Sequence, residues 1–146
     1  MKIALLYGST HGTTKKIVKK LSDYISFEYD IFNVKDISIS TFLLDYELLF
    51  FICPTYGDEE LQEDMEEFLK YFKFDLTSKK YVICETGNYY GYDNFEFGAK
   101  KIIDWHLKNL GATEYYKGFS LDTLPRIDWQ SFKKWLDKLN FRIINA

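Results

Sequence analysis

The chain has 146 residues, a length that fits one domain with a real hydrophobic core and is too short for two. Its formal net charge is only −3, which argues against a nucleic-acid-binding protein and gives no reason to expect an anionic membrane surface as partner. Hydrophobic residues make up 47% of the sequence, a composition that excludes a disordered chain. Aromatic residues reach 19%, and some of the 12 tyrosines could face a flat ligand.

The two cysteines, Cys53 and Cys84, are too few and too far apart for a disulfide framework or a zinc site. Each ends an apolar run, so we predict buried thiols in a reducing cytosol and no metal site. Met1 leads straight into an apolar run without the charged and apolar regions of a signal peptide, and no run approaches the length of a membrane span. We therefore expect a soluble cytoplasmic protein that binds neither nucleic acid nor membrane.

Short apolar runs alternate along the chain with amphipathic helical patterns. The predicted strands are residues 2–7, 29–34, 47–53, 80–84 and 114–119. The first, third and fourth are nearly continuous apolar runs, typical of central strands buried on both faces, whereas the other two suit sheet edges. Apolar residues repeat at helical spacing within residues 17–25, 61–72, 99–110 and 129–139. The longest irregular stretch is 35–46.

Five strands alternating with helices predict a single α/β domain over residues 1–146. We expect a three-layer sandwich, in which a five-stranded parallel sheet in the order 2-1-3-4-5 carries helices on both faces. Ligands of such sheets bind at the carboxyl ends of the strands, where the winding direction switches between strands one and three. The loops after strands one, three and four should therefore carry the function.

The first of these loops, "GSTHGTT", places Ser9, Thr10, Gly12, Thr13 and Thr14 at the start of a helix. Unpaired backbone N–H groups and the helix dipole favour an anion there, and the hydroxyls add donors. The loop fits neither the P-loop nor the GxGxxG pattern, and it contains no lysine. It therefore predicts a phosphate monoester bound mainly by neutral donors.

His11, in the middle of the same loop, has two interpretations. Its imidazole could cap the phosphate, or it could point to water, as a surface histidine near neutral pH usually does. The sequence leaves both open.

The other two loops offer aromatic rings beside glycines. In "CPTYGDEELQ", Tyr56 could stack on a flat ring and Gly57 could present its peptide in either orientation, although this stretch alone is also typical of a plain turn. In "ETGNYYGYDNF", Tyr89, Tyr90 and Tyr92 could supply a second ring. Together the three loops predict a phosphate cradle and two aromatic plates.

With these three loops in order, the whole chain resembles a short-chain flavodoxin. "STHGTT" resembles the phosphate loop of that family, usually S/T-x-T-G-x-T, with His11 where Thr is most frequent. "CPTYGDEELQEDMEEF" is similar to the loop and helix after the third strand, and "ETGNYYGYDNF" to the second isoalloxazine loop. The resemblance implies a flavodoxin-like fold and a non-covalently bound FMN that carries single electrons.

The resemblance also implies the residues of the FMN site. Tyr56 and Tyr92 would sandwich the ring, although the sequence does not choose among the three tyrosines of the last loop. Gly57 would offer its carbonyl to flavin N5–H, and Glu59 or a nearby backbone group would hold N3–H. No catalytic residue is predicted. The implied cofactor-binding residues are Ser9, Thr10, His11, Gly12, Thr13, Thr14, Pro54, Thr55, Tyr56, Gly57, Asp58, Glu59, Thr86, Gly87, Asn88, Tyr89, Tyr92 and Asn94.

Seven acidic residues fall within positions 58–67, beside the proposed ring. Acids at the start of a helix are favourable, so a solvated helix face explains part of this run. Negative charge there would also lower the reduction potential of a flavin that becomes anionic, and it could steer a basic redox partner into contact. We therefore expect a monomeric, low-potential electron carrier that docks redox proteins on this acidic patch.

Two alternatives share the fold and the flavin: a flavodoxin-like activator of ribonucleotide reductase, whose flavin loop "ETGNYYGYDNF" partly fits, and a flavin-dependent quinone reductase. The second lacks an evident proton donor and an evident substrate lid in this sequence. A signalling receiver domain shares the strand order, but it needs an acidic pair after strand one and an aspartate after strand three. The sequence has "STHGTT" and Pro54-Thr55 there, which nearly excludes that class.

Overall fold

The computed structural model describes residues 1–56, 60–88 and 98–146, with the backbone alone for Tyr56 and Glu60. Its strands are β1 Ile3–Tyr7, β2 Asp30–Asn33, β3 Leu48–Tyr56, β4 Glu60–Leu61, β5 Lys80–Gly87, β6 Thr113–Glu114 and β7 Phe119–Asp122. Its α-helices are α1 Thr13–Lys20, α2 Glu63–Tyr71, α3 Ala99–Asn109 and α4 Trp129–Ile144. Short 3₁₀ helices cover Leu21–Asp23, Val34–Asp36 and Thr41–Asp45, so the last two give turns of helix to a stretch predicted to be irregular.

The parallel sheet has five positions in the predicted order. β2, β1, β3 and β5 lie side by side, and β6 and β7 share the fifth position along the outer edge of β5. In the central register Leu5 lies beside Ile31 on one side and Phe50 on the other. The sequence did not predict β4, which pairs antiparallel with the end of β3. The predicted order 2-1-3-4-5 is confirmed, because β5 takes the fourth position and β6 with β7 the fifth. The winding direction switches between β1 and β3.

Two hydrophobic cores lie on opposite faces of the sheet, which confirms the three layers. Residues of α2 and α3 pack on one face, and residues of α1 and α4 pack on the other. Cys53 is buried in the first core and Cys84 in the second, so the sheet itself separates the two free thiols. Burial raises the pKa of both thiols above the ordinary range, as expected for the inert buried cysteines predicted from sequence.

The helices bury the faces that their periodicity predicts. In α1, Ile17 and Val18 are buried while the lysines at 15, 16, 19 and 20 are exposed. The longest, α4, buries Phe132, Trp135 and Leu136 against the second core. No helix within the described ranges is both long and apolar enough to cross a membrane.

The fifth strand differs from the prediction. Residues 114–119 were expected to be one strand, but β6 and β7 leave residues 115–118 between them. Trp135 of α4 donates its indole N–H to the carbonyl of Lys117 over 3.0 Å, and the ring of Tyr115 lies 4.9 Å from the guanidinium of Arg142. The backbone N–H of Tyr115 still donates to the carbonyl of Tyr81 in β5 over 2.8 Å. Contacts with α4 hold the rest of this interval, a long-range effect that local periodicity does not contain.

A carboxyl pair beside β6 predicts how stability depends on pH. Burial and the negative charge of Asp104 raise the pKa of Glu114, while Asp104 itself accepts from the hydroxyl of Tyr81 and pairs with Lys108 at 3.2 Å. Because the folded state binds this proton more tightly than the unfolded chain, the contribution of Glu114 to stability is present at low pH. It is lost as the pH rises through the raised value.

We expect Glu114→Gln to raise the melting temperature at pH 8 and to leave it nearly unchanged at pH 4, where Glu114 is protonated. Thermal unfolding at both pH values measures this. The same change at Glu28, an exposed carboxylate at the opposite edge of the sheet, controls for the loss of one negative charge. An equal gain at both pH values would show that titration of Glu114 is not the cause.

Candidate functional site

The three predicted loops leave the same edge of the sheet. β1, β3 and β5 are adjacent and parallel, so their last residues lie together at the carboxyl edge. The strands run further than the sequence predicts, because Pro54, Thr55 and Tyr56 belong to β3, and Thr86 and Gly87 belong to β5. Pairing of Pro54 with Thr86 places the starts of the second and third segments next to each other.

The segment after β1 has the features of an anion cradle. The backbone N–H of Gly8 donates to the carbonyl of Ile52 over 3.3 Å, which fixes the segment against β3. Gly12 has a φ of 84° at the start of α1, a left-handed conformation that glycine adopts without strain. The hydroxyl oxygen of Ser9 is buried and makes no hydrogen bond in the described structure. A buried hydroxyl without a partner costs about 1–3 kcal/mol, and a phosphate oxygen would supply that partner.

The beginnings of the four α-helices in the described part of the chain differ in their acceptors. Gln62 Oε1 accepts the Met65 N–H at α2, and Asp128 Oδ1 accepts the Ser131 N–H at α4. At α3 the Ala99 N–H is bonded by the hydroxyl of Thr55. At α1 the cap is Gly12, which has no side chain to accept. Gly98, the cap residue of α3, has no side chain either, but Thr55 supplies an acceptor there. The described hydrogen bonds give the start of α1 no such acceptor, so a bound anion would serve there.

The sequence analysis missed Gln62, which links the phosphate loop to α2. Its side chain is fully buried, and its Nε2 donates to the hydroxyl of Thr10 over 3.0 Å and to Asp64 over 2.8 Å. A Cβ at Gly8 would lie 2.2 Å from Gln62 Oε1, so only glycine at position 8 lets this amide reach the loop. The sequence feature that could have indicated this role is an uncharged amide directly before the first turn of an acidic helix.

We expect Gln62→Leu to lower the free energy of unfolding by about 1–3 kcal/mol, because the Met65 N–H and the Thr10 hydroxyl lose a buried partner. Denaturant unfolding of the flavin-free protein measures the loss. Gln130→Leu on the exposed surface of α4 is the matched control and should stay within about 0.5 kcal/mol of the parent. Equal effects of the two changes would contradict a structural role of the buried amide.

The second and third segments meet around Thr55 and Gly87. Thr55 donates to the buried carboxylate of Glu85 and accepts from Ala99 at the start of α3. The carbonyl of Gly87 accepts from the Thr123 N–H over 2.8 Å, which holds the end of β5 to the chain after β7. Thr86 is only 2% exposed, so the folded chain covers it, whereas Asn88 is exposed.

Six predicted cofactor-binding residues lie outside the described residues, and so does the side chain of Tyr56. The proposed ring plates and the contacts to flavin N5 and N3 therefore stay predictions. The six residues are Gly57, Asp58, Glu59, Tyr89, Tyr92 and Asn94. Of the predicted phosphate loop, every residue is described, and His11 is exposed beside Gly12.

Charge around this edge is mostly negative. Glu63, Glu66 and Glu67 are exposed on the first two turns of α2, one residue or more beyond Gln62. Lys15 and Lys16 are exposed on α1 and are the first cations after the phosphate loop. The described ranges contain no group of three or more His, Cys, Asp or Glu residues placed to bind a metal ion.

Comparison with known proteins identifies the family. The family model described as "Flavodoxin" matches residues 5–137. The chain belongs to the flavodoxin family. A flavodoxin of Maridesulfovibrio salexigens is 26% identical over 136 residues, which cover 87% of this chain and 90% of that protein. A flavodoxin of Nostoc sp. strain PCC 7120 is 34% identical over 99 residues, 65% of this chain and 57% of the relative, so the match spans little more than half of that longer protein.

A solved structure supports the same fold. Flavodoxin of Fusobacterium nucleatum bound to flavin mononucleotide superposes with a TM-score of 0.73 at 19% identity, over 99% of this chain and 97% of that one. The predicted family and the flavodoxin-like sandwich are thus confirmed. Flavodoxins are FMN-binding electron carriers, and FMN is the cofactor of this chain as a member of the family.

The residues present fit the phosphate group of FMN. The buried hydroxyl of Ser9 is a donor without a protein partner, and the residues that follow Gly12 at the start of α1 have backbone N–H groups available. Residues 8–14 include no lysine or arginine, so hydroxyl and backbone N–H donors and the helix dipole would hold the phosphate.

Proposed function

We propose that this flavodoxin is a low-potential one-electron carrier between redox proteins, with FMN held non-covalently at the carboxyl edge of the sheet. The observation that carries the proposal is the phosphate cradle: a helix start capped by Gly12 rather than by a side chain, beside the buried, unpartnered hydroxyl of Ser9. FMN supplies the chemistry because it accepts and releases electrons singly. The protein binds it, orients it and sets the charge around it.

The phosphate end of the proposed site is built from described residues. Ser9 donates to the phosphate, and Gly12 lets the first N–H groups of α1 approach it. Gln62 holds Thr10 in place from the side of α2. At the ring end we propose Tyr56 and Tyr92 as the two plates, Gly57 as the acceptor for N5–H and Glu59 as the partner of N3–H.

The acidic patch, defined as residues 58–67, is the proposed docking surface for redox partner proteins. Glu63, Glu66 and Glu67 of this patch are exposed on α2, and Gln62 at the start of that helix bonds the phosphate loop. Complementary charge speeds encounter and orients partners, so we propose that reductases or oxidoreductases dock with a basic face on this patch. A monomeric state and a cytoplasmic location complete the proposal.

Anaerobic reductive titration of the FMN-loaded protein, followed by absorption spectra, tests the carrier function. We expect two separate one-electron steps with distinct midpoint potentials, the second being low. Reduction in a single two-electron step would contradict the proposal and would favour a flavin-dependent quinone reductase. A protein that takes up no FMN would contradict the proposed cofactor and therefore the carrier function as well.

A further inference from the structure

Glu85 is a buried carboxylate within the flavin edge of the sheet. It lies in β5, in register with Cys53 of β3 and Ser120 of β7, and it is only 1% exposed. A carboxylate removed from water is costly unless hydrogen bonds and an opposite charge compensate it. A side chain of this kind needs specific partners, and the structure shows where they come from.

Both carboxylate oxygens of Glu85 are engaged by three different elements. Oε1 accepts from the hydroxyl of Thr55 over 3.2 Å and from the backbone N–H of Lys100 over 3.1 Å. Oε2 accepts from the hydroxyl of Ser120 and lies 3.9 Å from the ammonium of Lys100. That ammonium also donates to Ser120 over 3.3 Å. One carboxylate thus joins β3, β7 and the first turn of α3.

The same contacts close the N-terminus of α3. The first N–H, of Ala99, donates to the hydroxyl of Thr55 over 2.9 Å, and the second, of Lys100, donates to Glu85. A carboxylate at a helix N-terminus also interacts favourably with the helix dipole. The position of α3 relative to the ends of β3 and β5 is therefore set by a polar network with Glu85 at its centre.

These ends flank both segments that the proposed function assigns to the flavin ring. Thr55 comes two residues before Gly57, and Glu85 itself comes shortly before Asn88 in the third loop. Ala99 and Lys100 begin α3 directly after the third loop. The phosphate loop makes none of the four contacts to the Glu85 carboxylate described above.

We propose that Glu85 is a positioning residue for the ring end of the FMN site, acting through Thr55 and the start of α3. This inference rests on the proposed function, because it concerns the same cofactor. Glu85 does not touch the phosphate, so its loss should change the affinities for oxidised and reduced FMN by different factors. Those two affinities differ at the ring, where the redox change occurs, and their ratio fixes the midpoint potentials.

Two substitutions separate the geometry of Glu85 from its charge. Glu85→Ala leaves the Thr55 and Ser120 hydroxyls and the Lys100 N–H without their acceptor. Glu85→Gln keeps one acceptor oxygen of the same reach for Thr55 and the Lys100 N–H. It loses the charge, and its amide NH2 replaces the oxygen that accepts from Ser120. Ser9→Ala is the matched control at the phosphate end, since the phosphate is the same in every redox state.

The experiment measures the Kd for oxidised FMN, both midpoint potentials and the melting temperature of the flavin-free protein. We expect Glu85→Ala to raise the Kd at least tenfold and to change the ratio of Kd values between redox states at least threefold, with Glu85→Gln restoring most of the affinity. Ser9→Ala should raise the Kd with an unchanged ratio. If Glu85→Ala does not fold, Ser120→Ala removes one donor to the carboxylate, and we expect a smaller change in the same ratio.

A Glu85→Ala protein, or failing that a Ser120→Ala protein, whose potentials equal those of the parent would overturn the inference. A lowered melting temperature alone would then show a purely structural role. Failure of the parent protein to bind FMN would overturn the proposed function and this inference together. FMN binding by the parent with an unchanged ratio in the variant would overturn the inference alone.

Discussion

Ser9→Asp is expected to weaken FMN binding by about three orders of magnitude. The hydroxyl of Ser9 is buried without a protein partner beside the start of α1, where the FMN phosphate is proposed to bind. A carboxylate placed there would lie about 4 Å from the phosphate, and at an effective dielectric constant of about 20 the repulsion is about 4 kcal/mol per unit of phosphate charge. That corresponds to a loss of affinity of roughly a thousandfold.

Quenching of flavin fluorescence on titration gives the affinity, and two controls make the result specific. Ser9→Ala removes one charge-assisted hydrogen bond and should cost only about tenfold in Kd. Riboflavin, which has no phosphate, should bind the aspartate variant as it binds the parent. Undiminished FMN binding by Ser9→Asp would place the phosphate elsewhere.

Neutralising the acids of α2 is expected to raise the midpoint potential for forming the fully reduced, anionic FMN. Glu63, Glu66 and Glu67 are exposed on α2, the helix that Gln62 connects to the phosphate loop. At about 10 Å and an effective dielectric constant of about 20, each charge contributes about 1.7 kcal/mol before ionic screening. The triple Gln variant should therefore shift the potential upward by tens of millivolts, and less at high salt.

The matched control replaces three exposed acids at the amino ends of β2 and β3, Glu28, Asp45 and Glu47, by their amides. Both triple variants change the formal net charge from −3 to zero, so they differ only in where the charge is removed. Spectroelectrochemical titration at low and high salt compares them. Equal shifts for the two variants would show that the acidic patch acts through net charge and has no special position.

The elements that the sequence predicts well are those with strong local patterns. Continuous apolar runs such as residues 47–53 are typical of strands buried on both faces, and β3 is indeed central. The start of α1 could also be predicted, because Ser, Thr and Gly are typical of helix beginnings, whereas the binding of phosphate there stays a prediction. The lack of lysine and arginine in residues 8–14 fits a carrier whose reduced cofactor is anionic, since a nearby cation would raise the reduction potential.

Predictions from local patterns were wrong where contacts with residues distant in sequence set the secondary structure. The interval 115–118 has a mixed pattern that suits an edge strand, yet the indole of Trp135 bonds the carbonyl of Lys117 there. The ends of β3 and β5 extend beyond their apolar runs, because pairing of Pro54 with Thr86 continues the ladder into residues with turn-like composition. Neither feature can be predicted from the local sequence, because both depend on contacts with elements far along the chain.

The sequence by itself determined the strand order, the layers and the family, because each depends on periodicity or on short contiguous motifs. It also placed the predicted phosphate loop directly before the first helix. Only the tertiary structure decided that Gln62 connects that loop to α2, and that Glu85 joins β3, β7 and α3. In sequence Gln62 is one polar residue in an acidic run, and Glu85 is a charge at the end of an apolar one. Their roles come from burial, which obliges a polar side chain to find partners that only the folded chain brings within reach.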